Sequence, residues 1–383
     1  MRIAFYAPLK WPGHPVPSGD RLLAQMFVAA LETAGHEVVL ASRLRTYEGR
    51  GDAARQARIA AVGAAFARRL IRRWQRPGAA APDLWFTYHV YHKAPDHLGP
   101  RVARALGIPY VIAEASVAPK QRDGDWQDGH AAAAAAIHDA DAVICVNPAD
   151  VPHVTATRET GAITAVLPPF FDVAAYVAAG ETDHARAAAR ALVPPPASPR
   201  LITVAMMREG DKLASYLALA DALEQLPERP WHLVVVGDGA AADAVHARFA
   251  SLPPGRVRFV GRQPPATVAA LLAGADLFVW PAVAEVIGLA LLEAQACGVL
   301  VVAGRRPGVA VIVDDGLTGR LTPPGDTAAF AAAVGALLDD PAGRAAMGRR
   351  ARAHARERHD LPSAARSLAA VLARVTAARE APR

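Results

Sequence analysis

Cysteine is nearly absent from this chain of 383 residues: Cys145 and Cys297 are the only two, far apart and without neighbouring ligand spacing. That excludes a disulfide framework and gives no support to a thiolate zinc site, so both read as small buried residues. Also lacking is any uninterrupted apolar run of the ~20 residues needed to span a bilayer. The opening MRIAFYAPLKWPG is a strand-like run broken by Pro12 rather than a signal peptide. A cytoplasmic location is expected. Charged residues make up 20% against 52% hydrophobic, too apolar a balance for a disordered chain. The length suits two domains of somewhat under ~200 residues, each able to bury its own core.

The net charge is +6, which directs attention to anionic partners: nucleic acid, lipid or substrate. Much of the excess is local, in Arg344, Arg349, Arg350, Arg352, Arg356 and Arg358. The expected reading is a helix with a solvated basic face, with peripheral contact to an inner membrane face as the alternative. A nucleic-acid partner is not expected.

The first half alternates strands with helices. Ile3–Ala7, Glu37–Ala41, Leu84–Tyr88, Tyr110–Ala113 and Ala142–Val146 read as strands, with helices at Leu22–Ala34 and Ala53–Trp74. Such alternation predicts a parallel sheet wrapped by helices. Between Leu167 and Pro199, clustered prolines favour a connection over a sheet interior. A second series follows, with strands at Leu201–Ala205, Trp231–Val236, Val257–Val260, Leu277–Trp280 and Leu300–Ala303. The fold class is therefore α/β, with two doubly wound, Rossmann-like domains. Expected bounds are 1–175, a linker at 176–199, a second domain at 200–357, and a C-terminal segment 358–383 whose helix packs back on the first domain. Ligands of such sheets bind beyond the carboxyl ends of the strands, so the expected site is a cleft walled by loops of both domains.

The most informative stretch is ADLFVWPAVAEVIGLALLEAQACG, Ala275–Gly298, which reads as strand, turn and helix. Glu285 precedes the helix and Glu293 lies inside it. At ~1.5 Å rise per residue the two carboxylates stand roughly a nucleoside diphosphate apart along the axis. The amides of Ile287, Gly288 and Leu289 open the helix and make a seat for pyrophosphate. Gly288 lets phosphate approach closely, Glu293 suits a ribose diol, and Glu285 faces the sugar.

The spacing E285-x7-E293, with Gly288 and the trailing LEAQACG, resembles the signature of family 4 retaining glycosyltransferases of the GT-B fold. Order along the chain supports it: PSGDR at Pro17–Arg21 is similar to the acceptor-side glycine loop, AGHEV at Ala34–Val38 to the turn into the second strand. VVVGDG at Val234–Gly239 and DDGLTGRLTPPGD at Asp314–Asp326 resemble later family segments. The resemblance implies retaining transfer from a nucleotide-diphosphate sugar. That sugar is a co-substrate rather than a cofactor, and the family requires no metal. The acceptor is a glycan, a lipid-linked compound or a small molecule. Basic side chains stabilise the leaving diphosphate: Lys212 matches the family's Lys, while Met206 stands at its usual Arg and Arg208 is the substitute. Gly19 and Arg21 would meet donor or acceptor, with Asp20 capping the next helix. His89, after its strand, would stand near the reacting sugar with His92 as competitor, and Glu114 reads as an acceptor ligand or a solvated loop acid. Gly237 and Gly239 would line the base or phosphate. Val286, Ile287, Pro307 and Val311 depart from the family pattern, which leaves open a sugar-nucleotide-binding protein without turnover.

Two other readings compete. Gly237, Gly239 and Ala242 match G-x-G-x-x-A, a dinucleotide fingerprint, but the strand Val257–Val260 leads to Gly261 and Arg262 rather than to an acid, so an oxidoreductase would have to use NADP. Asp123-Gly124-Asp125 has the form of a metal-holding DxD, but no hydrophobic strand leads into it.

Overall fold

The computed structural model describes residues 1–16, 18–158, 162–193 and 198–380. Pro17 of the acceptor-side loop and 194–197 of the proline-rich connection lie outside the described residues. The chain divides into two compact units, Met1–Pro168 with Leu361–Arg383, and Pro169–Asp360.

Unit 1 runs β1 (Arg2–Tyr6), α1 (Gly19–Thr33), β2 (Glu37–Leu40), α2 (Ala53–Trp74), β3 (Leu84–Val90), α3 (Gly99–Leu106), β4 (Tyr110–Ala115), α4 (Gln127–Asp139), β5 (Ala142–Cys145), α5 (Val151–Thr157) and β6 (Ile163–Val166). Its sheet has the order β2-β1-β3-β4-β5-β6, and every pairing is parallel. The central strands are short apolar runs buried on both faces, as Ile3, Phe5, Leu84, Phe86, Val111 and Ile112 show. α2 starts where the Asp52 carboxylate accepts the Arg55 amide at 3.0 Å and then continues on Ala, Arg and Leu, all strong helix formers.

Unit 2 runs α6 (Val173–Gly180), α7 (Asp183–Leu192), β7 (Arg200–Val204), α8 (Asp211–Leu223), β8 (His232–Val236), α9 (Ala242–Phe249), β9 (Val257–Phe259), α10 (Pro265–Ala273), β10 (Leu277–Trp280), α11 (Leu289–Ala296), β11 (Val301–Gly304), α12 (Pro307–Ala310), β12 (Gly319–Thr322), α13 (Thr327–Asp339) and α14 (Pro341–Arg358). Its six-stranded sheet has the order β12-β11-β10-β7-β8-β9, again wholly parallel. A last helix, α15 (Leu361–Glu380), belongs to unit 1. It packs on α1, and Arg379 holds Asp141 through two bonds of 3.0 and 3.1 Å.

The expected linker 176–199 is not one: α6 and α7 cover most of it, and both pack on α10 of unit 2. Asp172 and Thr182 cap these helices by accepting the amides of Ala175 and Ala185. The edge strands β6 and β12 are further differences, too short and too mixed in polarity to stand out from sequence.

Each sheet reverses its winding direction once, between β1 and β3 in unit 1 and between β7 and β10 in unit 2. In open α/β sheets the crevice beyond the carboxyl ends of the strands at such a reversal is where ligands bind.

Candidate functional site

The reversal in unit 2 is walled by the segment after β7, leading into α8, and the segment between β10 and α11. Arg208, Glu209, Asp211, Lys212, Ser215, Ala284, Glu285 and Val286 line a cavity of about 260 Å³ there. Lys212, in the first turn of α8, donates its ammonium to the Glu285 carboxylate at 2.5 Å. The same oxygen accepts the Trp280 indole N–H at 3.1 Å, and the Lys212 ammonium lies 5.4 Å from the Trp280 ring centre. Trp280 is the last residue of β10, so the strand itself fixes the position of Glu285. Sequence reasoning passed over this indole, although a Trp closing a strand just before Pro281 was visible.

The loop carrying Glu285 is held from two sides. The Ser215 hydroxyl accepts the Val283 amide at 3.1 Å, and the Arg306 guanidinium donates to the Val283 carbonyl. Gly237 and Gly239 support the opposite wall: a Cβ on them would come within 1.8 Å of the Ala205 carbonyl oxygen and 2.2 Å of the Met207 one. Their observed role is thus close packing beneath the segment that bears Arg208. Arg208 is exposed on the cavity wall, whereas Met206 is 49% exposed and does not line it. The structure therefore brings Arg208, Lys212 and Glu285 together.

Gly288 stands immediately before α11 at φ 77°, a left-handed conformation, and no side chain caps the helix start. Ile287, Gly288 and Leu289 are all partly accessible. Further along, Glu293 is half-buried and accepts the Tyr176 hydroxyl at 3.3 Å. Burial pushes its carboxyl up to about 7, against the smaller opposing pull of the Tyr176 hydrogen bond. Tyr176 went unnoticed in sequence because its segment read as linker.

The reversal in unit 1 gathers different chemistry. Gly19 is not in a loop as expected but opens α1, because the Ser18 hydroxyl accepts the Arg21 amide at 3.2 Å and caps the helix. Arg21 turns back to the His14 carbonyl at 2.8 Å. Asp20 is thereby freed from capping and meets His89 Nδ1 at 3.2 Å. His89 lies inside β3 rather than after it, and Glu114 lies inside β4 rather than in a solvated loop.

The register pairs Tyr88 with Ala113 and Val90 with Ala115, so His89 and Glu114 stand opposite each other on neighbouring strands. Both have left-handed backbones, φ 65° and 62°, a conformation costly for residues with a Cβ and concentrated at functional sites. Burial opposes a charge on His89, but the Asp20 hydrogen bond and the fields of Glu114, Asp20 and Asp150 outweigh it and raise its pKa. Burial pushes Glu114 up to about 7, and its Oε2 is buried with no hydrogen-bond partner. Asp96, by contrast, accepts from Thr87, Tyr110 and the amides of Leu98 and Gly99. Asp96 is used up structurally, and Glu114 retains an oxygen for a ligand. His92 stacks edge-on to Trp126, at 5.8 Å, away from the Asp20 carboxylate that engages His89.

Residues 198–340 match the family model of glycosyl transferases group 1. D-inositol 3-phosphate glycosyltransferase of Corynebacterium efficiens is 35% identical over 144 residues, 36% of this chain and 34% of the relative. That of Kineococcus radiotolerans is 35% identical over 205 residues, 49% of this chain and 46% of the relative. The chain thus matches about a third to a half of the length of these two. Among solved structures, Anabaena Alr3699/HepE in complex with UDP-glucose matches with a TM-score of 0.70 at 20% identity, over 98% of this chain and all of the other. Sucrose-phosphate synthase of Thermosynechococcus elongatus matches with a TM-score of 0.71 at 20% identity, over 98% and 99%. At such identities the structural likeness establishes the fold, two Rossmann-like units of the GT-B class. The cavity of Arg208, Lys212 and Glu285 falls inside the segment 198–340 that is similar to the glycosyl transferases group 1.

Proposed function

We propose that the chain is a retaining glycosyltransferase that takes a sugar from a nucleoside-diphosphate donor bound on unit 2. The carrying observation is the Lys212–Glu285–Trp280 constellation at the β7/β10 reversal, beside the uncapped start of α11. A diphosphate needs preorganised positive charge as its bond to the sugar breaks. Lys212 and Arg208 supply cations, and the Ile287–Leu289 amides with the helix dipole supply the rest. Lys212 exchanges its bond with Glu285 for one with phosphate, which leaves the Glu285 carboxylate, still held by Trp280, to accept hydroxyls of the donor sugar. Glu293 accepts the ribose diol in its ionised form. The similarity to Anabaena Alr3699/HepE, solved with UDP and with UDP-glucose, makes UDP the first donor base to try. On unit 1, His89 with Asp20 and Glu114 receives the acceptor: a protonated imidazole donates to an oxygen, and Glu114 Oε2 accepts a hydroxyl.

The test is release of UDP from UDP-glucose by the wild type and by Glu285→Gln, with and without a panel of polyol and sugar acceptors. Glu285→Gln keeps the volume and removes the charge. It is expected to lower kcat at least ~100-fold with UDP binding retained, the behaviour of a group that acts in the transition state. Turnover unchanged by that substitution, or an NADP-dependent activity in place of UDP release, would overturn the reading.

A further inference from the structure

A different surface of unit 1 carries chemistry that neither site uses. α2 holds Arg55, Arg58, Arg68, Arg69, Arg72 and Arg73 and not one Asp or Glu. At about 100° per residue, Arg55, Arg58, Val62, Phe66, Arg69 and Arg73 fall within an arc of about 80°, a stripe about 27 Å long. All six are exposed, including the apolar pair at its middle, Val62 at 44% and Phe66 at 40%.

Two grooves run beside this stripe, between α2 and the segment after β2. Leu44, Arg55, Arg58, Ile59 and Val62 line one of about 260 Å³. The other, of about 790 Å³, is lined by Arg43, Arg69, Arg72, Arg73 and Arg76 with Phe66 and Leu70, and it contains no acid. Among the described residues none of the guanidiniums on these walls forms an ion pair, although Arg248, Arg229, Arg305 and Arg379 elsewhere all meet carboxylates. The basic helix singled out from sequence, α14, differs: Arg344 is spent on the Leu337 and Leu338 carbonyls and Arg352 on Glu181, and no large exposed apolar side chain interrupts its charges.

We propose that the α2 stripe docks unit 1 on an anionic lipid surface, with Phe66 and Val62 entering the headgroup region and the arginines on either side of them binding lipid phosphates. Unpaired cations give the attraction, and the apolar pair between them suits an interface better than bulk water or a purely ionic partner. The inference is independent of the sugar-transfer reading, since none of these residues touches the two reversal sites.

Cosedimentation of the full chain with vesicles of phosphatidylcholine, alone or with about 30 mol % phosphatidylglycerol, tests it. Binding to the mixed vesicles is expected, with little to phosphatidylcholine alone. Arg69→Gln with Arg73→Gln is expected to weaken it roughly thirtyfold, at about a lost charge each, and Phe66→Ser to weaken it at constant charge. These are solvent-facing positions, and an unchanged Tm would certify the folding of each variant. No binding to anionic vesicles, binding indifferent to these substitutions, or tighter binding to soluble heparin than to the vesicles at equal salt would overturn the proposal.

Discussion

Glu293 shows how one side chain ties binding to stability. Its carboxyl ordinarily titrates at 4.5 and is pushed up to about 7 by burial, so between those values the folded chain holds a proton that the unfolded chain has lost. Stability due to this group therefore falls as pH rises through that window and is flat above it. Glu293→Gln removes the penalty: its melting temperature is expected to exceed that of the wild type above pH ~7 and to converge with it near pH ~4. Parallel melting curves across that range would contradict the assignment. Glu114 shares the direction of shift, and the difference between variant and parent isolates Glu293 from it. Glu285 and Glu293 stood out in sequence because carboxylates placed around a helix start suit a nucleotide diphosphate seated there. Their partners did not. Asp20 read as a cap because it precedes a helix, and only the structure reveals that Ser18 takes that bond and sends Asp20 to His89.

Elements position the site through close packing of backbones. A Cβ at Gly308, in α12, would lie 1.7 Å from the Val286 carbonyl oxygen and 3.3 Å from the Ile287 Cα, so α12 sets the height of the segment that carries Glu285 and opens α11. Gly308→Ala must push that segment away. It is expected to cost about 1–3 kcal/mol of stability and to lower kcat/KM for the donor more than ~10-fold, since small misplacements of binding groups are costly. A variant with native melting temperature and native kcat/KM would show that the loop height is immaterial. At this scale the apolar runs made most strands and α2 legible, because buried parallel strands are continuous runs of Val, Ile, Leu and Phe. The edge strands β6 and β12 escaped notice, and so did α6 and α7, whose composition near prolines resembled a connection. That misreading hid Tyr176, which steadies Glu293.

For the whole molecule, the order of strands explains why the two charged constellations gather where they do. Unit 2 has the arrangement of a dinucleotide-binding sheet and unit 1 that of a flavodoxin-like sheet with an added strand. Each presents its charged constellation at its own reversal, basic with Glu285 in one and a histidine among carboxylates in the other. On the proposed reading, that difference in charge favours unit 2 for the diphosphate. The general pattern of two alternating series was visible in sequence; the place of reversal depends on strand order, which no local pattern encodes. The most direct measurement is calorimetric titration of UDP into the wild type and Lys212→Ala. Loss of a charge-assisted bond to phosphate is expected to weaken binding by ~10- to 100-fold, with no dependence on added chelator. UDP affinity unchanged by Lys212→Ala, or no UDP binding beside a clear NADP response, would contradict the account.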